Sequence, residues 1–141
     1  MVTPHLQDDG IRVVAADDNR QVLDKVVQLL KSDFDVVGTA ADGKAALELA
    51  LLLEPEVVVL DISMPIMSGI QVAAELRKNS STAKVVFLTV HHDPDFVRAA
   101  LGVGASCYVV KSHMAADLHI AMRAALNGKK FISPACAVAE D

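Results

Sequence analysis

Polar residues fall directly at the ends of otherwise apolar runs in this chain. Asp17 and Asp18 end the first run, Asp61 the third, Thr89 the fourth and Lys111 the fifth. If the runs are parallel strands, their carboxyl ends share one edge of a sheet, so these side chains should converge there. Crowded carboxylates need a cation, and an all-oxygen site open to water suits Mg²⁺. This set predicts phosphoryl transfer, with an aspartate as nucleophile and the lysine and hydroxyl neutralising charge.

The apolar runs are short and continuously hydrophobic, which is typical of strands buried on both faces. They lie at 13–16, 36–37, 57–60, 85–88 and 108–110. Segments with helical spacing separate them, as at Leu118, Ala121, Met122 and Ala125. The alternation predicts an α/β, flavodoxin-like fold: a doubly wound sheet of about five parallel strands in the order 2-1-3-4-5, with about five flanking helices.

Residues typical of helix starts and helix ends support this division into strands and helices. Ser68 and Gln71 are spaced as a capping box, which predicts the start of the third helix. The pair Asp93-Pro94 predicts the start of the fourth helix, with Asp as cap and Pro at the first helical position. Gly102 and Gly104 are expected to close that helix.

Length and composition limit the function classes. A chain of 141 residues suits a single domain, and 52% hydrophobic residues with only 4% aromatic ones predict a core of Ala, Val and Leu. The net charge of −5 disfavours direct binding to nucleic acid. We expect an N-terminal extension at 1–10, the functional domain at 11–130, and a C-terminal tail or the start of a linker at 131–141.

Targeting signals and cysteine usage point to the cytoplasm. The first ten residues lack the features of a signal peptide, and no apolar run reaches membrane-spanning length. Cys107 and Cys136 have neither metal-binding spacing nor a secretory context, so each is expected to be a buried or idle thiol.

The polar motifs taken together resemble the response regulator receiver domain of bacterial two-component systems, a CheY-like phosphoprotein, over residues 11–133. The resemblance rests on Ala16-Asp17-Asp18, Asp61-Ile62-Ser63-Met64-Pro65 with Gly69, Leu88-Thr89, and Tyr108-Val109-Val110-Lys111. The stretch 88–100 and Phe131-Ile132-Ser133-Pro134 are similar to the NarL/FixJ type.

The resemblance implies that Asp61 is the phosphoacceptor, which becomes an aspartyl phosphate by transfer from a sensor histidine kinase or a phosphotransfer protein. It also implies that Asp18, Asp61 and the backbone carbonyl of Ser63 hold Mg²⁺, with Asp17 acting directly or through a water. A receiver catalyses only its own phosphorylation and dephosphorylation, so it is not otherwise an enzyme.

The same resemblance gives roles to the ends of the fourth and fifth strands. Thr89 and Lys111 would each contact a phosphoryl oxygen. Thr89 and Tyr108 would form a switch, in which Tyr108 rotates inward as Thr89 moves toward the phosphoryl group. The switch would control an output: transcription regulation if a DNA-binding domain follows in the full-length protein. A homodimer is plausible for this type.

Some positions in this sequence depart from the residues that are usual in receiver domains. Val90 follows Thr89 where smaller residues are usual, and Ser63 and His91 stand at two variable positions that flank the site. Ser112 follows Lys111 in place of a common proline and is expected to cap the last helix.

Other classes fit less well. A haloacid-dehalogenase-like phosphatase needs a second aspartate two residues after the nucleophile, where Ser63 stands. A flavin-binding carrier needs a phosphate loop rich in small residues after the first strand, where the chain is acidic. A stand-alone or degenerate receiver that acts as a protein-interaction module remains the alternative.

Overall fold

The computed structural model describes residues 10–134; most of the predicted N-terminal extension, Cys136 and most of the predicted tail lie outside this range. The strands are β1 (Arg12–Ala16), β2 (Asp35–Ala40), β3 (Val57–Leu60), β4 (Lys84–Thr89), β5 (Cys107–Val110) and β6 (Phe131–Ile132). The helices are α1 (Arg20–Leu30), α2 (Gly43–Leu53), α3 (Gly69–Lys78), α4 (Pro94–Gly102) and α5 (Met114–Leu126). A 3₁₀ turn, Lys111–His113, leads into α5.

The strands form one parallel sheet in the order β2-β1-β3-β4-β5-β6. The predicted order 2-1-3-4-5 is therefore confirmed, and the sheet has one strand more than expected. The additional strand, β6, pairs Phe131 with Cys107 and Ile132 with Tyr108. Because β6 has only two residues, its sequence carries no periodic signal that separates it from a loop.

Two apolar layers cover the faces of the sheet. One contains α1 and α5, represented by Val26 and Leu118, packed on alternate residues of the strands. The other contains α2, α3 and α4, represented by Ala46, Val72 and Val97. The central strand β3 is buried on both faces along its whole length, as its continuous apolar sequence predicted.

Helix starts follow the predicted signals with two exceptions. The capping box of Ser68 and Gln71 is present at the start of α3. Asp93 occupies the cap position of α4, but its side chain makes no capping hydrogen bond. The prediction that Ser112 caps the last helix is wrong, because the 3₁₀ turn shifts the start of α5 to Met114 and the Ser112 hydroxyl contacts His113 Nδ1 instead.

No helix within residues 10–134 is both long and apolar enough to cross a membrane.

Cys107 is a buried free thiol whose Sγ lies 3.3 Å from the carbonyl oxygen of Ala121. Burial raises the pKa of this thiol, so it stays protonated and unreactive near neutral pH.

Candidate functional site

The carboxyl ends of β1 and β3 bring three carboxylates together. Asp17, Asp18 and Asp61 each place an oxygen within 4.8 Å of the others. Asp17 and Asp61 are buried, whereas Asp18 is exposed at the rim. We call these three residues, together with Lys111, the acid pocket. The convergence of these side chains was predicted from their positions after apolar runs.

Lys111 supplies the cation of the acid pocket. Its Nζ lies 2.7 Å from Asp17 Oδ2 and 3.3 Å from Asp61 Oδ2. Burial alone would lower the pKa of Lys111, but the two carboxylates outweigh it and raise that pKa. The pocket therefore holds three carboxylates and one ammonium group, so it has a surplus of negative charge when all of them are ionised.

This surplus affects Asp61 most. Burial, and then the charge of Asp17, raise the pKa of Asp61, while Lys111 and the backbone amide of Ser63 oppose the rise. The ionised Asp61 carboxylate is thus poorly compensated in the folded chain. A group that brings positive charge to this carboxylate would relieve the imbalance.

Loop amides orient the two buried carboxylates. The amide of Asn19 donates to Asp17 Oδ1 at 2.8 Å, and the amide of Ser63 donates to Asp61 Oδ1 at 3.3 Å. In each residue the other oxygen, Oδ2, is left to face Lys111. Asn19 also caps α1, because its side chain accepts the amide of Val22. The loop that starts α1 therefore also holds the pocket.

The donor set fits a hard divalent cation. All three side chains offer carboxylate oxygens, which are the preferred ligands of Mg²⁺. The buried Asp17 Oδ2 faces Lys111 Nζ at 2.7 Å, whereas Asp18 is exposed at the rim of the pocket. Ser63, whose backbone carbonyl is the further implied ligand, lines an open cleft beside Asp18, Ile62 and Pro65.

Two glycines allow backbone segments to approach closely around the pocket. A Cβ at Gly69 would overlap the backbone carbonyl of Asp61, and the Gly69 amide donates to the carbonyl of Ile62 at 2.8 Å. A Cβ at Gly43 would overlap the backbone carbonyl of Met67 in the same loop. Gly69 was part of the recognised motif, whereas Gly43 gave no signal that separated it from an ordinary helix start.

The predicted switch residues both bind the backbone of one residue, His91. Thr89 is fully buried, and its hydroxyl accepts the amide of His91 at 3.2 Å. Tyr108 is also fully buried, and its hydroxyl donates to the carbonyl oxygen of His91 at 2.7 Å. The His91 backbone thus connects the two predicted switch residues, with the tyrosine ring in an inward position.

The side chain of His91 makes a second connection that sequence reasoning missed. Its Nε2 lies 2.7 Å from Ser63 Oγ, and its ring stacks on Phe96 with centroids 4.1 Å apart. The loop after β3, the loop after β4 and the first turn of α4 are therefore joined. The sequence indicated only that Ser63 and His91 flank the site, each two residues beyond a predicted site residue, Asp61 or Thr89.

Comparison with known proteins agrees with this geometry. The profile of the response regulator receiver domain matches residues 13–123. The chain is 39% identical over 126 residues to the transcriptional regulatory protein YvfU of Bacillus subtilis, covering 88% of this chain and 63% of that protein. It is 34% identical over 121 residues to LiaR of the same organism, covering 84% of this chain and 57% of LiaR. The chain therefore spans about three fifths of the length of these relatives.

Solved structures give the same result. The signal receiver domain of NarL from Mycobacterium tuberculosis has a TM-score of 0.81 at 36% identity, covering 84% of this chain and 98% of that domain. A LuxR-family two-component response regulator from Aurantimonas has a TM-score of 0.84 at 31% identity, covering 89% of this chain and 91% of that one. The chain belongs to the response regulator receiver domain family of two-component signalling and has the acidic phosphorylation pocket of such a domain.

Proposed function

We propose that Asp61 accepts a phosphoryl group from the phosphohistidine of a sensor histidine kinase or phosphotransfer protein in the cytoplasm. The observation that carries this proposal is the position of Asp61. It ends the central strand, is buried, and has Lys111 Nζ 3.3 Å from its Oδ2 and two further carboxylates beside it. Asp17 faces the same cation, but its other oxygen is held more closely by a loop amide, at 2.8 Å from Asn19, than that of Asp61, at 3.3 Å from Ser63.

The transfer is a single displacement. An Asp61 carboxylate oxygen attacks phosphorus, so an O–P bond forms while the P–N bond to the donor imidazole breaks. The bonding electron pair stays on the imidazole nitrogen, and the donor leaves as neutral histidine, whose ring proton is carried on the other nitrogen beforehand or is taken from solvent. Lys111 holds its charge beside the oxygens that become more negative during the transfer.

Asp17, Asp18, Asp61 and the backbone carbonyl of Ser63 would hold Mg²⁺, either directly or, for Asp17, through a water. When bound, Mg²⁺ supplies positive charge that lets the carboxylates ionise together and that neutralises phosphoryl oxygens. Lys111 alone leaves the pocket with excess negative charge, which is the reason that a divalent cation is proposed.

Thr89 and Tyr108 would carry the signal away from the pocket. The Thr89 hydroxyl, which now accepts the His91 amide, would turn to a phosphoryl oxygen. The backbone on both sides of the His91 Cα would then shift, and Tyr108, bonded to the His91 carbonyl oxygen, would shift with it. A few kcal/mol of differential contact is enough to move such a two-state population substantially.

We further propose that the receiver, residues 11–130, controls transcription as part of a longer protein. YvfU and LiaR are named as transcriptional regulatory proteins, and both are longer than this chain. RcsB, 27% identical with a TM-score of 0.81, has been solved as dimers bound to DNA. A homodimer is therefore proposed here too, whereas the net charge of −5 argues against DNA contact by the receiver itself.

Phosphorylation by a small donor tests the assignment of Asp61. The protein is incubated with acetyl phosphate and Mg²⁺, and the modified residue is mapped by mass spectrometry. We expect labelling at Asp61, at least a roughly 100-fold loss in Asp61→Asn because the nucleophile is removed, and the same loss in excess chelator. Asp33→Asn, a carboxylate outside the pocket, is the matched control and should label as the wild type does.

Labelling that persists in Asp61→Asn would contradict the phosphoacceptor assignment. Labelling that persists in chelator would contradict only the role of the metal.

Amide NMR with and without the phosphoryl analogue beryllofluoride tests the switch. Shifts should extend from the pocket to His91 and Tyr108, and shifts confined to residues 61–63 would contradict it.

A further inference from the structure

The segment after α5 is attached to the edge of the sheet. Residues 131–133, which we call the strap, continue from α5 and pair along β5, with Ile132 opposite Tyr108. The amide of Ser133 then donates to the carbonyl oxygen of Tyr108 at 2.8 Å. The strap thus covers the edge of the strand that carries Tyr108 and leads into Lys111.

A buried polar network fixes the strap. Ser133 is fully buried, and its hydroxyl donates to Asp117 Oδ2 at 2.8 Å while accepting the amide of Val110 at 3.1 Å. One side chain therefore links the end of β5, the first turn of α5 and the strap. These hydrogen bonds form together only when the strap is docked.

Asp117 is a buried carboxylate that the acid pocket does not use. It is only 8% exposed, and among residues 10–134 the Ser133 hydroxyl is the hydrogen-bond donor to its side chain. A buried carboxylate is unfavourable without a donor, and in the docked strap the Ser133 hydroxyl supplies that donor. Asp117 thus favours the docked strap.

The network lies one residue from the cation of the acid pocket. The Ser133 hydroxyl accepts the amide of Val110, the residue before Lys111, and the Ser133 amide donates to the carbonyl of Tyr108, the predicted switch residue. Lys111 in turn lies between Asp17 and Asp61. The strap is therefore connected to Asp61 through the end of β5 and the side chain of Lys111.

We propose that Ser133 and Asp117 are positioning residues that fix the end of β5, so that docking of the strap and occupancy of the acid pocket favour each other. The proposal rests on the proposed function of Asp61. A phosphoryl group on Asp61 brings more negative charge to Lys111 and holds it more firmly, which fixes Val110 and strengthens its bond to Ser133. Phosphorylation would thus tighten the attachment of the chain that leaves the receiver.

Linkage makes this coupling measurable from both ends, because two coupled events change each other by the same factor. In the full 141-residue chain, beryllofluoride with Mg²⁺ should slow hydrogen exchange of the Ser133 amide about fivefold relative to Mg²⁺ alone. Ser133→Ala should weaken beryllofluoride binding by a similar factor, about fivefold, measured by titration. Asp117→Ala should match Ser133→Ala, whereas Asp117→Asn keeps an acceptor oxygen and should stay within about twofold of the wild type.

The control is Val36→Ala in β2, at the opposite edge of the sheet, which loosens an edge without touching the strap. It should lower global stability but leave beryllofluoride affinity unchanged. If the wild type binds no beryllofluoride, the proposed function fails. If it binds and the exchange of Ser133 is unaltered while amides at 61–63 respond, the coupling is overturned. That wild-type measurement decides the question even if Ser133→Ala does not fold.

Discussion

The protein holds two clusters that combine carboxylates with cations, and they differ in burial. In the acid pocket the side chains of Asp17, Asp61 and Lys111 are 3%, 4% and 14% exposed. In the second cluster, between α1 and α5, Asp33 lies 3.3 Å from His119 Nε2 and 3.7 Å from Arg123 Nη2, and all three side chains are 35–58% exposed. The two clusters thus have similar distances between charged groups but differ in how much of each side chain is exposed to solvent.

Burial changes what such a cluster can do. Water screens the exposed cluster, so its Asp33–Arg123 ion pair adds little stability. The buried pocket is screened far less, and its excess carboxylate charge stays unfavourable until a cation, or a phosphoryl group with its cation, arrives. Charge imbalance, more than ion pairing itself, therefore identifies the functional cluster in this protein.

The largest effect is expected from removing the pocket cation. Lys111→Ala leaves two buried carboxylates without their ammonium group, and we expect the free energy of unfolding to fall by about 3 kcal/mol in metal-free buffer. Urea denaturation measures this, with Lys44→Ala at an exposed position of α2 as the control, expected within about 0.5 kcal/mol of the wild type. Equal losses in both variants would show that the buried ion pairs of Lys111 add no stability beyond that of an exposed lysine.

An intermediate effect is expected at Asp61. Burial and Asp17 raise its pKa above the ordinary 3.8, so the folded state binds a proton more tightly than the unfolded chain does. Ionised Asp61 therefore opposes folding at neutral pH, and Asp61→Asn should be more stable than the wild type by about 1 kcal/mol at pH 7. As the pH falls through the folded pKa of Asp61, this advantage should shrink.

The measurement is urea denaturation of both proteins across pH in chelator, then in Mg²⁺. Mg²⁺ should stabilise the wild type more than Asp61→Asn, because it compensates the charge that the variant lacks. A wild type that is already more stable than Asp61→Asn in chelator at neutral pH would show that the pocket is balanced without metal.

The smallest effect is expected in the exposed cluster. Arg123→Ala removes a long ion pair to Asp33 and a cation–π contact 5.5 Å from the Phe34 ring centroid. We expect a loss of about 0.5 kcal/mol that becomes smaller at high salt. Arg123→Lys keeps the charge and serves as the control. A fall in the free energy of unfolding of more than about 2 kcal/mol would mean that the exposed cluster also contributes substantially to stability.

Much of the fold was predictable because parallel strands buried on both faces are continuous apolar runs. The order of the first five strands and the capping box at Ser68 followed from these patterns. The pocket was predictable for a related reason. A charged residue directly after a buried strand, such as Asp61 or Lys111, lies at the sheet edge, and several such residues at one edge indicate a shared site.

What the sequence did not reveal depends on contacts between distant positions. The strand β6 is too short for a pattern, and the bond between Ser133 and Asp117 joins residues 16 positions apart that look like an ordinary turn and helix residue. The stack of His91 on Phe96 likewise requires the actual path of a loop. Packing of tertiary structure decides such contacts, and local propensity does not.

The inward position of Tyr108 also makes the protein its own optical probe. The chain has one tyrosine and no tryptophan. Near-ultraviolet absorption and fluorescence therefore come almost entirely from a ring that is fully buried and whose hydroxyl is bonded to the carbonyl of His91. Any rearrangement of that peptide changes the polarity and hydrogen bonding of this single chromophore, so the state of the switch is readable by emission from the unmodified protein.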